Sequence, residues 1–262
     1  MTVGSLHATA IAVGLALLAV AGPAASAAQV EAAVRNTEDG WLRFRFATRE
    51  GVEICTRGVR YRGDRWFSRG GGGDSGCVPG PAEVDLRVRS GVVQRVELVD
   101  VAERSSRDVR HLGDVEPAEA ARSLLAFAEG GATQAAARDA LLPAFLADVP
   151  ELWRDLARVA GDRALPADLR ERALFWLGQE AAAAATADIA AVASADDEDQ
   201  DVREAAVFAL FQRPPEESVP ILMDLARSAG QAKTRKAALF WLAQAEDARV
   251  LPFFQEILLG AN

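Results

Sequence analysis

Three stretches decide the fold: "LRERALFWLGQ" at 169–179, "VREAAVFALFQ" at 202–212 and "TRKAALFWLAQ" at 234–244. Aligned, they match at Arg170, Arg203 and Arg235, which are almost evenly spaced. They match again at Phe175, Phe208 and Phe240, at Leu177, Leu210 and Leu242, and at Gln179, Gln212 and Gln244. The segments between them align too. Val219-Pro220-Ile221-Leu222 corresponds to Leu251-Pro252-Phe253-Phe254, and "RDLARVAGD" at 154–162 echoes "MDLARSAGQ" at 223–231. A fixed period just above 30 residues, with two helical patterns in each period, predicts an α-solenoid. A single helical pair cannot bury its apolar face, so neighbouring pairs stack on one another.

The stretch Asp201-Val202-Arg203-x-x-Ala206, with a proline in an adjoining helix, resembles HEAT repeats. The resemblance covers roughly 115–262, with about four repeats and nine helices, the first beginning at Pro117 and its repeat, "GATQAAARDALLPAFLAD", degenerate. It implies a two-layer right-handed stack with the proline-containing helices outside. The helices that begin at Arg170, Arg203 and Arg235 would line the inner, concave layer. In that family the arginine of this motif bonds backbone or acidic groups of its neighbours and holds the stack together, so the resemblance assigns stacking to these three arginines. Two activities of HEAT-like enzymes do not carry over. The iron-holding deoxyhypusine hydroxylases need His-Glu pairs, and no His-Glu dipeptide occurs here; the HEAT-like DNA glycosylases need a basic groove.

Phe175 and Gln179 are four residues apart and share a helix face, as do Phe208 with Gln212 and Phe240 with Gln244. These pairs form either a ladder that binds an extended peptide or a set of packing contacts between repeats. Trp176, Ala209 and Trp241 occupy one repeat position, a large–small–large series suited to an interdigitating core. The acidic run "SADDEDQD" at 194–201 lacks the glycine and glutamate positions of a calcium loop and is expected to be an interhelical loop.

Upstream, "GWLRFRFAT" at 40–48 and "AEVDLRVRSGVVQRVELVD" at 82–100 alternate apolar and polar residues with period two, the second through a Ser90-Gly91 turn. They predict a small antiparallel sheet of about four to six strands over 28–110. The expected class is thus α+β in two parts, a β domain over 28–110 followed by the solenoid over 111–262. Cys55 and Cys77 are the only cysteines and are expected to pair, closing a loop worth roughly 3 kcal/mol. That loop holds "GGGGDSGC" at 70–77, which resembles the nucleophile motif of chymotrypsin-like proteases. The base of such a site precedes the serine. Here His7 lies in the leader and His111 follows Ser75, so no triad forms.

No charged side chain occurs in the first 30 residues. The apolar run "ATAIAVGLALLAVAG", a proline and then "AASAAQ" predict a secretory leader cut after Ala27, with an uncleaved anchor as the alternative. The net charge of −9 is uneven: about +2 over 28–110 and −11 over 111–262. An acidic solenoid disfavours nucleic acid as a partner. The chain shows no cofactor or metal motif, and it offers few catalytic groups. The expected function is non-catalytic protein binding outside the cytoplasm, in the periplasm or medium. The alternative is an enzyme, or a small-molecule or glycan binder, with a site near the junction of the two parts.

Overall fold

A computed structural model describes residues 24–55, 58–61, 65–68, 76–99, 108–180 and 182–259. The predicted leader up to residue 23 and the glycine-rich loop with Ser75 lie outside the described residues. The first helix among the described residues is α1 (Ala27–Arg35), which the sequence pattern did not signal. Ser26 caps it in a capping box with Gln29.

Two four-stranded sheets follow among the described residues. The first has the order β7 (Val92–Leu98), β6 (Ala82–Arg89), β1 (Asp39–Phe46), β8 (Arg110–Asp114). The second has the order β4 (Arg65–Ser68), β3 (Gly58–Tyr61), β2 (Val52–Cys55), β5 (Val78–Pro79). Alternation along β1 and β6 places Leu42, Phe44, Phe46, Val84, Leu86 and Val88 in the core. Ser90 and Gly91 turn the β6–β7 hairpin, both with positive φ, two left-handed positions in succession.

Three features depart from the expected single antiparallel sheet. The strands form two sheets. Val78–Pro79, too short to show an alternating pattern, pairs with β2 as a further strand. And "RHLGD", which carries no alternation, adds as a parallel edge strand to β1, with His111 opposite Arg43 and exposed. Such a strand exists only because β1 offers an unpaired edge, so no local pattern announces it.

Cys55 and Cys77 are disulfide-bonded and tie β2 to the segment entering β5. The bridge spans 22 residues. Reduction is expected to lower the unfolding free energy by about 3 kcal/mol. Urea unfolding with and without reductant checks this, and coincident curves would contradict it.

Nine helices follow among the described residues: α2 (Pro117–Ala126), α3 (Gln134–Leu146), α4 (Leu152–Gly161), α5 (Ala167–Gln179), α6 (Ala184–Ser194), α7 (Gln200–Phe211), α8 (Pro215–Ser228), α9 (Ala232–Leu242) and α10 (Val250–Leu259). A π turn, Phe127–Gly131, ends α2. Helices α3, α5, α7 and α9 pack in succession as one layer, and α4, α6 and α8 form the other. Proline does not mark one layer alone, since Pro143 lies within α3, beside Pro220 in α8. Small residues bring α5 and α7 close: a Cβ on Gly178 would stand 3.0 Å from the Ala209 carbonyl oxygen.

One contiguous hydrophobic core runs from the sheets into the stack. Phe145 of α3 joins the two parts. Its ring stacks on Trp176 of α5 at 4.9 Å, meets Tyr61 of β3 edge-on at 5.4 Å and carries the Arg49 guanidinium 4.4 Å above it. Arg49 also pairs with Glu180 at the end of α5, at 2.9 Å.

Candidate protein-binding face

The repeated residues divide by direction around each helix. Arg170, Arg203 and Arg235 point from the start of α5, α7 and α9 to the end of the helix before. Arg170 Nε donates to the Ala160 carbonyl at 3.0 Å. Arg203 donates to the carbonyls of Ala195 and Asp196 at 3.2 Å, and to that of Glu198. Arg235 donates to the carbonyls of Ala229 and Gly230 at 2.6 and 3.1 Å. The last carbonyls of α4, α6 and α8 have no partner within their own helices, and a cation there also meets the negative end of the dipole. Arg170 reaches further, into the next repeat, and pairs with Glu198 while only 1% exposed.

The acidic run is absorbed by the same arginines and by Arg163. Asp197 accepts two bonds from Arg163, at 2.5 and 2.7 Å, which hold its carboxyl down at about 2. Burial pushes the Glu198 carboxyl up, but bonds from Arg170 and the Asp199 amide, with the charges of Arg170 and Arg163, leave it below its ordinary value. Among the described residues no group of three or more His, Cys, Asp or Glu side chains is arranged to hold a metal ion.

Arg213 lies outside the matched repeat positions. It is buried and bonds the carbonyl of Glu180, that of Ala182 at 3.0 Å, Thr186 Oγ1 at 2.8 Å and Glu217 at 3.0 Å. It fastens the α5–α6 connection to α8. Its counterparts in the other repeats are Glu180 and Ala245, so no matched position pointed to it.

The aromatic and amide positions separate along the stack. Gln179 is 4% exposed and donates to Gln212 Oε1 across α5 and α7. Gln212 is half-buried, whereas Gln244 is exposed. Phe175 and Phe208 are half-buried, and Phe240 is 57% exposed. Trp241 turns back to stack on Phe211, at 4.8 Å, with Phe208 tilted against it at 4.7 Å. Trp176 makes the equivalent backward contact to Phe145, and Ala209 leaves room for Gly178 between them.

Charges flank this row. Asp168 is held by Gln134 and Arg138, each at 2.9 Å. Glu171 lies beside it with its carboxyl raised by burial and by the charges of Asp201 and Asp168. Asp201 and Glu204 are exposed, and the same two positions on α9 are Lys233 and Lys236, the only lysines of the chain.

A second feature lies at the junction, an open cleft of about 670 Å³. Phe46 and Val52 are buried residues of its wall, and Arg45 and Asp114 pair along it at 2.5 and 2.9 Å.

Stacked antiparallel helical pairs with a helix-capping arginine at each second helix define an α-solenoid. The family model for HEAT repeats matches residues 186–262, so this part of the chain is built of HEAT repeats. Helices α2 to α5 precede the matched span and continue the same packing. No curated protein matches the chain. No helix among the described residues is long and apolar enough to cross a membrane.

Proposed function

We propose that the protein is a non-catalytic scaffold outside the cytoplasm that binds another protein through the α5–α7–α9 layer. The observation that carries this is the phenylalanine row, one ring per repeat and most open at α9. HEAT repeats are an interaction-scaffold fold, and the disulfide fits an oxidising compartment. The closer-packed layer of a curved stack lies on the inside of the curve, so the row would line the concave side. Gln179 and Gln212 bond each other, which leaves recognition to Phe175, Phe208, Phe240 and Gln244.

Phe240 separates binding from packing, because its ring is mostly in solvent. Replacing Phe240 and Gln244 by alanine is expected to weaken partner binding by about 30-fold, the loss of one aromatic anchor, with Tm unchanged. Crosslinking and pull-down from the extracytoplasmic fraction, followed by titration of the captured protein, measures it. Equal binding by both chains would refute the proposed face. The junction cleft supports a second reading, a small-molecule or glycan site, since its volume suits such a ligand. A thermal-shift screen of the purified protein against glycans and metabolites tests that reading independently.

A further inference from the structure

We infer that the leader is removed by hydrolysis of the Ala24–Ala25 peptide bond, so that the mature chain begins at Ala25. The inference rests on the proposed export of the chain and moves the cut three residues upstream of Ala27.

Five nearby bonds satisfy the small-x-small rule of exported-protein peptidases, those after Ala21, Ala24, Ser26, Ala27 and Ala28. Residue size alone does not choose between them, but the mature chain must keep the residues that its fold uses. The fold distinguishes their products. Ala24 is exposed on the wall of the junction cleft. Every one of the next three residues is built into the structure.

Ala25 forms a parallel bridge with Val115, its amide donating to the Asp114 carbonyl at 2.7 Å. Ser26 caps α1: its hydroxyl accepts from the Gln29 amide, and its own amide donates to Gln29 Oε1 at 2.7 Å. Ala27 is buried, donates to Glu119 Oε2 of α2 at 2.9 Å, and accepts from Ser123 Oγ at 3.4 Å. The Glu119 carboxyl is held below its ordinary value first by that Ala27 amide and then by Arg122.

A cut after Ala27 would discard all of this. It would also leave an ammonium on Ala28 within the first turn of α1, where the helix dipole repels a cation. Cuts after Ser26, Ala27 or Ala28 discard some or all of these contacts, and the cut after Ala24 is the last one that discards none of them. Water adds to the Ala24 carbonyl and the C–N bond breaks. Ala24 leaves as the carboxylate end of the leader, and the Ala25 nitrogen takes the proton as an ammonium. That ammonium keeps an N–H for the Asp114 carbonyl.

The full chain is expressed in an exporting bacterium, and the intact mass of the protein in the extracytoplasmic fraction is measured. A start at Ala25 is the expected result. A start at Ala28, lighter by the residue masses of Ala-Ser-Ala, would overturn the inference and leave export standing. A chain that keeps Met1, or never leaves the cytoplasm, would overturn both. As a second readout, chains 25–262 and 28–262 are released from a cleavable fusion and melted. The shorter one is expected to melt lower by roughly 5–10 °C, from the lost cap and hydrogen bonds. Equal melting temperatures would refute the structural reason for the assignment.

Discussion

Replacing Arg170 by methionine is expected to lower the unfolding free energy by about 3–5 kcal/mol, because it strips a buried carboxylate of its closest cation. Methionine keeps much of the stem that fills the space but none of the donors. Glu198, 8% exposed, would then keep only the Asp199 amide and the more distant charge of half-exposed Arg163, and the Ala160 carbonyl would lose its donor. The size comes from the orphaned charge and exceeds what the pair itself contributes. Adding Glu198→Leu should therefore recover most of the loss. Thermal or urea unfolding of the single and double variants decides it; a double variant no more stable than the single one would show that the capped carbonyls, not the charge, set the cost.

The same pair predicts an acid dependence. The folded Glu198 carboxyl lies below its unfolded value, near 4.5, so its stabilisation is fully present above that pH. It is lost as pH falls through the lower folded value. Stability of Glu198→Gln should therefore fall less steeply than that of the parent chain below about pH 4.5. Parallel slopes in that range would remove Glu198 from the acid response.

The second large effect is expected in the first sheet. Arg43 and Asp85 face each other directly across β1 and β6, bonded twice at 2.6 and 2.8 Å. Asp85 is 2% exposed. The bond to Asp85 is the main reason the Arg43 guanidinium is held above its already high value. Asp85→Ala is expected to destabilise by about 3–5 kcal/mol, leaving a cation with little water and one distant carboxylate, Glu83 at 3.6 Å. The Arg45–Asp114 pair supplies the contrast. It too is bonded twice, but both side chains are about half exposed, at 49% and 55%. Asp114→Ala should leave Tm nearly unchanged. Losses of similar size in the two variants would mean that burial does not decide what these pairs contribute.

The period of the helical region was legible because each repeat writes the same packing problem in the same residues. Arg170, Arg203 and Arg235 recur because every inter-layer turn ends a helix with unpaired carbonyls. Leu177, Leu210 and Leu242 recur because every second helix buries the same stripe. The β1, β6 and β7 alternation was legible for the equivalent reason, one buried face per strand. The pairing of Cys55 with Cys77 followed from there being no other cysteine.

Tertiary structure decided what depends on a neighbour. Strand β8 has no pattern of its own and forms on the free edge of β1. Helix α1 begins inside a stretch whose small residues resemble a leader's end, and only its contacts with Glu119, Ser123 and Val115 place residues 25–27 in the fold. Matched phenylalanines and glutamines differ in exposure because each helix of the α5–α7–α9 layer is covered by the next. Gln179 therefore bonds Gln212 in the interior, while Phe240 and Gln244 lie on α9, which no further described helix of that layer covers. Sequence periodicity sets which residues are equivalent, but position in the stack sets how much of each is left for a partner.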